Sequence, residues 1–150
     1  MIFLGEQIDD GFKEALKSRD TIRLSILRLL RTALKNRAVE RRGPLDDAEI
    51  LAVIRGLIRQ SQEAIEQFEK GGRPDLAEKE RTEMAVLKGF LPPAAPETEI
   101  RAVVEEIIRE VRAVGPQDLG RVMKPALARL AGRAEGQQVR AVVQECLAPV

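Results

Sequence analysis

The segment from Asp118 to Leu147 holds the residues whose types and spacing could do chemistry. It reads Asp118-Leu-Gly-Arg-Val-Met-Lys124, then Gly132-Arg-Ala-Glu-Gly136, and then a third, mostly apolar stretch. This pattern predicts two short helices that meet at a turn with a glycine on each side and an arginine inside. It contains no pair of nucleophile and base, so the chemistry it offers is the binding of an anion.

Each glycine of this segment has a predicted role. Gly120, inside the sixth helix, costs about 1 kcal/mol relative to alanine and lets a neighbouring helix or a ligand approach closely. Gly132 can adopt the left-handed conformation that ends that helix. Glu135 and Gly136 open the seventh helix, whose first N–H groups form an anion site. Four basic residues are expected to surround this site: Arg121, Lys124, Arg129 and Arg133. A turn that merely caps two helices fits the same residues equally well.

A second basic region lies in the second predicted helix. From Arg19 to Arg42 there are eight basic residues and two acidic ones, a local net charge of +6. At about 100° per residue, Arg28, Arg31 and Lys35 lie on one side, opposite the apolar stripe, in which Leu29 is expected to be buried. Such a side can follow phosphates, or it can be neutralised by acidic residues of the third and fourth helices. No aromatic residue interleaves the cations, which favours double-helical RNA over single strands.

Several classes of site are excluded by composition. The chain has no histidine and one cysteine, Cys146, which removes the commonest general base and the usual zinc ligands. No glycine-rich nucleotide-binding loop is present. We therefore expect no metal, no cofactor and no autonomous catalytic centre. One cysteine, an N-terminal region without an apolar run and no stretch of about 18 apolar residues predict a soluble, cytoplasmic protein that does not enter the membrane.

The elements that must position these residues are helices. The chain of 150 residues is 44% hydrophobic, 33% charged and 3% aromatic, with a net charge of +1. Apolar residues recur at helical spacing and no strand pattern is visible, which predicts an all-α fold of seven helices. Three prolines within Leu91–Pro96 cannot continue a helix and make a stiff connector. We therefore expect a four-helix unit over 1–91 and a three-helix bundle over 97–150.

These residues resemble a known family, the YqeY-like proteins. The C-terminal signature is the segment from Asp118 to Gly136, and it also occurs in the tail domain of the B subunit of the tRNA-dependent amidotransferase. The N-terminal part is similar to stand-alone members of the family. The matching stretches there are Arg23-Leu-Ser-Ile-Leu-Arg-Leu-Leu30, Gln67-Phe-Glu-Lys-Gly-Gly-Arg-Pro-Asp75, Glu78-Lys-Glu80 and Leu91-Pro92.

The resemblance implies a partner more directly than a reaction. In the amidotransferase the similar tail is a helical tRNA-binding appendage, and amide transfer takes place in other domains and subunits. It therefore implies an accessory tRNA-binding protein. The alternatives are a component of a carbon–nitrogen ligase that uses glutamine as amide donor, and an adaptor for an aminoacyl-tRNA synthetase or an amidotransferase component. The family usually has Asp where this chain has Glu135, which weakens the expected helix cap.

Overall fold

The structure is a computed structural model that describes residues 3–149. Over this range it contains seven α-helices, one short 3₁₀ turn and no strand, so the all-α prediction is confirmed. The helices are α1 Leu4–Ser18, α2 Thr21–Arg41, α3 Asp47–Lys70, α4 Pro74–Lys88, α5 Glu97–Val111, α6 Leu119–Leu130 and α7 Gly136–Leu147, and the 3₁₀ turn Pro116–Asp118 precedes α6. The residues form two compact units with a boundary between Phe90 and Leu91. That each unit is an independently folding domain stays a prediction.

In the first unit, polar caps fix where the helices begin. The Asp20 carboxylate accepts from the backbone N–H of Arg23 at 3.0 Å and starts α2. Asp46 and Glu49 form a reciprocal capping box at the start of α3. Pro74 starts α4, at the position where its missing N–H costs no helical bond. Such caps set the residue at which each helix begins.

The buried face of α2 differs from the expected one. Leu29 was expected in the core, but it is 52% exposed, while Leu27 is fully buried together with Ile26 and Leu30. Two residues along a helix are about 200° apart, so burial of Leu27 turns Leu29 towards solvent. The reason is tertiary, because α2 packs against α1, α3 and α4 at once.

The second unit is a three-helix bundle with one apolar core. Fully buried residues of the core include Ile107, Val122 and Val139, one from each helix. Ala95, from the proline-rich segment, is also buried in this core, and its N–H donates to the carbonyl of Arg133 at 2.7 Å. The proline-rich segment is thus held against the turn between α6 and α7.

Candidate nucleic-acid interface

The four cations expected around the start of α7 do not share one place. α6 has 12 residues, so its two ends are about 18 Å apart. Arg121 lies at its beginning, next to the end of α5, whereas Arg133 lies beyond its end, next to the beginning of α5. The expectation of one cationic corner is therefore wrong. Only the position of Arg133, in the turn before α7, matches it.

Arg133 forms hydrogen bonds with two other segments of the second unit. Its guanidinium donates to both carboxylate oxygens of Glu99, at 2.6 and 2.8 Å, and to the carbonyl of Pro93 at 3.4 Å. The hydrogen bonds between the two side chains, together with their opposite charges, lower the pKa of Glu99 and raise that of Arg133. Such a two-pronged pair fixes orientation as well as charge. The geometry assigns Arg133 a structural role that ties the proline-rich segment to the turn.

Arg121 is held at the other end of α6. It donates to the Asp118 carboxylate at 3.1 Å and to the carbonyl of Val111 at 2.5 Å. Asp118 is buried, and it also accepts the backbone N–H of Val114 at 2.9 Å. This backbone hydrogen bond and the bond from Arg121 lower the pKa of Asp118. These hydrogen bonds of Arg121 and Asp118 stabilise the loop between α5 and α6.

Arg129 is paired with acidic residues, whereas Lys124 is not. Arg129 donates to both carboxylate oxygens of Glu110, at 3.3 and 3.0 Å, and lies 3.6 Å from the Glu106 carboxylate. These carboxylates raise the pKa of Arg129. Lys124 is exposed and has no partner among the described residues. Of the four expected cations in this unit, Lys124 is the one with a free charge.

The glycines and the cap of this segment differ in part from their expected roles. A Cβ built on Gly120 or on Gly136 meets nothing within 4 Å, so no neighbouring helix of the described chain explains either glycine. The left-handed residue that caps α6 is Ala131, with φ of 50°, and Gly132 follows with φ of 78°. Glu135 occupies the N-cap of α7 as expected, but its side chain makes no cap hydrogen bond.

The basic helix α2 contains a different arrangement. Five exposed polar side chains, three hydroxyls and two cations, follow each other at steps of four and three residues, and we call them the α2 stripe: Thr21, Ser25, Arg28, Thr32 and Lys35. None of these side chains has a hydrogen bond or an ion pair with a described residue. Steps of four and three keep them within about 80° around the helix. The stripe is thus a straight row of available donors.

Three of the other arginines of α2 are engaged. Arg31, which was expected with Arg28 and Lys35, lies 3.7 Å from the Asp9 carboxylate and 4.3 Å above the ring of Phe12. Arg37 pairs with Glu40 at 3.2 Å on the same helix. A third pair joins Arg41 to Glu49 of α3 at 2.7 Å. Neutralisation of α2 by α3 thus holds at Arg41, and α1 supplies the partner of Arg31.

Sequence analysis missed two features of this region, the hydroxyls of the α2 stripe and a glutamate beside it. The hydroxyls of Thr21, Ser25 and Thr32 were overlooked, although their spacing with the cations was visible in the sequence. The second feature is Glu83 of α4, which is 8% exposed and lines a groove with four residues of the stripe. Burial raises the pKa of Glu83. No sequence signal separates this glutamate from the other acids of α4.

The described residues offer little support for a metal site, a membrane-spanning helix or a reactive thiol. Within residues 3–149, no three His, Cys, Asp or Glu side chains come together as metal ligands. In the same range, no helix is both long and apolar enough to cross a membrane. Cys146 is half-buried, and burial raises the pKa of its thiol, which makes the thiolate scarcer at neutral pH. The α2 stripe remains a row of cations and hydroxyls that no described residue engages.

The chain is similar to curated proteins called altered inheritance of mitochondria protein 41, mitochondrial. The one from Lachancea thermotolerans is 33% identical over 107 residues, which are 69% of this chain and 57% of the relative. The one from Eremothecium gossypii is 28% identical over 71% of this chain and 60% of the relative. The one from Pyrenophora tritici-repentis is 27% identical over 93% of this chain and 78% of the relative.

The first two matches span less than two thirds of the relatives' length, so this chain corresponds to a part of those proteins. Their names place those proteins in mitochondria, whereas a cytoplasmic location of this chain stays a prediction. The family model described as Yqey-like protein matches residues 5–147, which is nearly the whole chain. On that match, and with the all-helical architecture described above, the chain belongs to the YqeY-like family.

Proposed function

We propose that this protein is an accessory module without catalysis of its own, which binds folded RNA, and tRNA first of all. The observation that carries the proposal is the α2 stripe, with exposed cations and hydroxyls that have no partner among the described residues. Cations and hydroxyls are the groups that proteins use to hold phosphate oxygens. The resemblance to the tail of the tRNA-dependent amidotransferase supports tRNA as the partner.

The stripe has the length for several phosphates. From Thr21 to Lys35 it extends over 14 residue steps, about 21 Å along the helix axis. Contacts of this kind hold the nucleic acid by its backbone and carry little information about the bases. Binding is therefore expected to depend on salt and to be similar for different tRNAs.

The test is a titration of labelled total tRNA at about 50 mM and about 200 mM salt. The test variant is Arg28→Gln with Lys35→Gln. The matched control is Arg37→Gln with Arg41→Gln, which removes the same charge from the same helix but takes cations that already have acidic partners. We expect the test variant to bind at least about tenfold more weakly and to lower the salt slope by about two, with little change in the control.

Equal losses in the two variants would show that only overall charge matters and would overturn the proposal. Absence of tRNA binding by the unmodified protein at the lower salt would also overturn it. Circular dichroism of both variants checks that they are folded, since each substitution lies on an exposed helix surface.

A second candidate is a protein–protein adaptor, for which the partner would be an aminoacyl-tRNA synthetase or an amidotransferase component. Its support is the exposure of Val39, at 70%, and of Val114, at 84%. The two valines lie in different units, so each would be a separate contact point for such a partner. The adaptor predicts co-purification with such an enzyme that survives nuclease treatment and is lost in Val39→Ser or Val114→Ser.

A further inference from the structure

A groove of about 440 Å³ runs beside the α2 stripe, between α2 and α4. Thr21, Ser25, Arg28 and Thr32 of the stripe form one side of it, and Glu83 belongs to the opposite side. Leu29, which is 52% exposed, adds an apolar surface. The groove therefore joins a cation, hydroxyls, an apolar surface and a carboxylate in one open space.

Glu83 is the unusual member of this set. Only 8% of the residue is exposed, and its carboxylate accepts no hydrogen bond from a described residue, although its oxygens are not fully shut off from solvent. The nearest opposite charge is Lys79, whose Nζ lies 3.9 Å from Oε1 and whose own side chain is 55% exposed. Partial burial without a hydrogen-bond donor costs the carboxylate part of its hydration. A ligand that brings a donor into the groove would relieve that cost.

The position of the groove indicates what such a ligand is. A nucleic-acid strand whose phosphates lie along Arg28 and Lys35 would carry its bases beside the groove. Unpaired bases of RNA are commonly recognised by stacking on side chains and by hydrogen bonds to their edges. Glutamate accepts hydrogen bonds from the exocyclic amino group of cytosine. Leu29 offers the apolar surface that the face of a base requires.

We infer that the groove holds one unpaired nucleotide of the bound RNA, with the amino group of its base donating to Glu83 and its phosphate on Arg28. This inference rests on the proposed function, because it needs RNA on the α2 stripe. It adds a base preference to contacts that would otherwise ignore the bases. It also gives a hydrogen-bond donor to a carboxylate whose ion-pair partner among the described residues is the exposed Lys79.

The test compares two RNA hairpins that differ by one amino group. One hairpin carries a single bulged cytidine, and the other carries pyrimidin-2-one riboside at that position, which is cytidine without its amino group. We expect the unmodified protein to bind the cytidine hairpin about tenfold more tightly, as one good contact to a base edge would give.

Two variants connect this preference to Glu83. Glu83→Leu removes the acceptor and should bring the ratio of the two affinities to about one, without weakening the pyrimidin-2-one hairpin. Glu78→Leu is the matched control, because it removes the same charge from an exposed position of α4 outside the groove, and it should keep the ratio. Glu83→Leu is expected to fold, since replacing a buried charge by an apolar side chain is often neutral or stabilising.

The outcomes separate the two proposals. If the protein binds both hairpins equally well, the inference about the groove is overturned while the proposed function stands. If the preference persists in Glu83→Leu, the amino group is read elsewhere and the inference is also overturned. If neither hairpin nor tRNA binds at low salt, the proposed function fails and the inference fails with it.

Discussion

On α2, the side chains of Arg28 and Lys35 lie in solvent without an acidic partner among the described residues. In the second unit, by contrast, Arg129 pairs with two carboxylates and Arg133 pairs with one. Both regions have the composition of a cationic patch. The difference lies in pairing, because a paired guanidinium must give up a carboxylate before it can take a phosphate. Charge counted in a sequence is therefore not the charge that a partner meets.

The comparison depends on the two units being separate bodies, and core substitutions test this with the largest expected effect. Leu87→Ala in the first unit and Ile107→Ala in the second each remove a fully buried side chain and should cost about 2–5 kcal/mol. We expect each to weaken only its own unit. The measurement is hydrogen exchange followed by mass spectrometry, since the chain has no Trp or Tyr for fluorescence.

If either substitution lowers the protection of both units to the same extent, the chain is one cooperative domain. The contrast between α2 and the second unit would then describe two surfaces of a single body, and the predicted boundary after residue 91 would be wrong.

A crossed pair of substitutions tests the contrast in pairing itself. Arg133→Gln should lower the melting temperature, because it breaks the pair with Glu99 and the contact with Pro93, and it should leave tRNA affinity within about twofold. Arg28→Gln should keep the melting temperature and lower the salt slope of tRNA binding by about one. Thermal unfolding by circular dichroism and tRNA titration are measured on both variants. A loss of tRNA binding in folded Arg133→Gln would break the contrast.

The pH dependence of stability should differ in sign between the two units. The pKa of Glu99 is lowered from an ordinary value of 4.5, so its stabilising contribution is present above that pH and is lost as the pH falls through the folded pKa. The pKa of Glu83 is raised from the same value, so the folded state binds this proton more tightly than the unfolded state does. The stability that the proton contributes is lost as the pH rises from about 4.5.

Two amide variants measure these signs. Glu83→Gln should be more stable than the unmodified protein near neutral pH, and Glu99→Gln should be less stable there. Both differences should shrink as the pH is lowered towards about 3, where the carboxyls of the unmodified protein become protonated. Melting temperatures between about pH 3 and about pH 7 check this. Differences that stay constant with pH would mean that packing, not ionisation, causes them.

The sequence was sufficient for the fold because helix periodicity and caps are local. Asp20, Asp46 and Pro74 mark helix starts within a few residues, and the structure begins helices next to them. The face of α2 that is buried was not predictable in the same way. It depends on three neighbouring helices at once, which place Leu27 in the core and Leu29 outside.

The candidate site was harder to predict, since its electrostatics depend on distant residues. Arg133 and Glu99 are 34 positions apart, and Arg129 and Glu110 are 19 apart, so no local pattern shows that they pair. The α2 stripe could be recognised from local sequence alone, because its five residues lie within one helix at steps of four and three. The exposure of that row, however, follows from how the other three helices of the unit pack.

The smallest expected effect comes from freeing a paired arginine. Glu106→Gln with Glu110→Gln removes the carboxylates that Arg129 holds, at 3.6 and 3.0 Å, and leaves its guanidinium exposed and free. If pairing is what keeps this arginine from phosphates, tRNA affinity should rise about twofold to fivefold, the scale of an exposed ion pair. The measurement is the same tRNA titration at low salt.

Removing two negative charges also strengthens binding to any polyanion, so a control must carry the same change in charge. Glu105→Gln with Glu135→Gln provides it, since both residues are exposed and neither has an ion pair with a described residue. Freeing Arg129 should exceed this control, and adding Arg129→Gln should abolish the excess. Equal gains would mean that position, not pairing, separates the second unit from α2, because a free guanidinium there would still not reach the RNA.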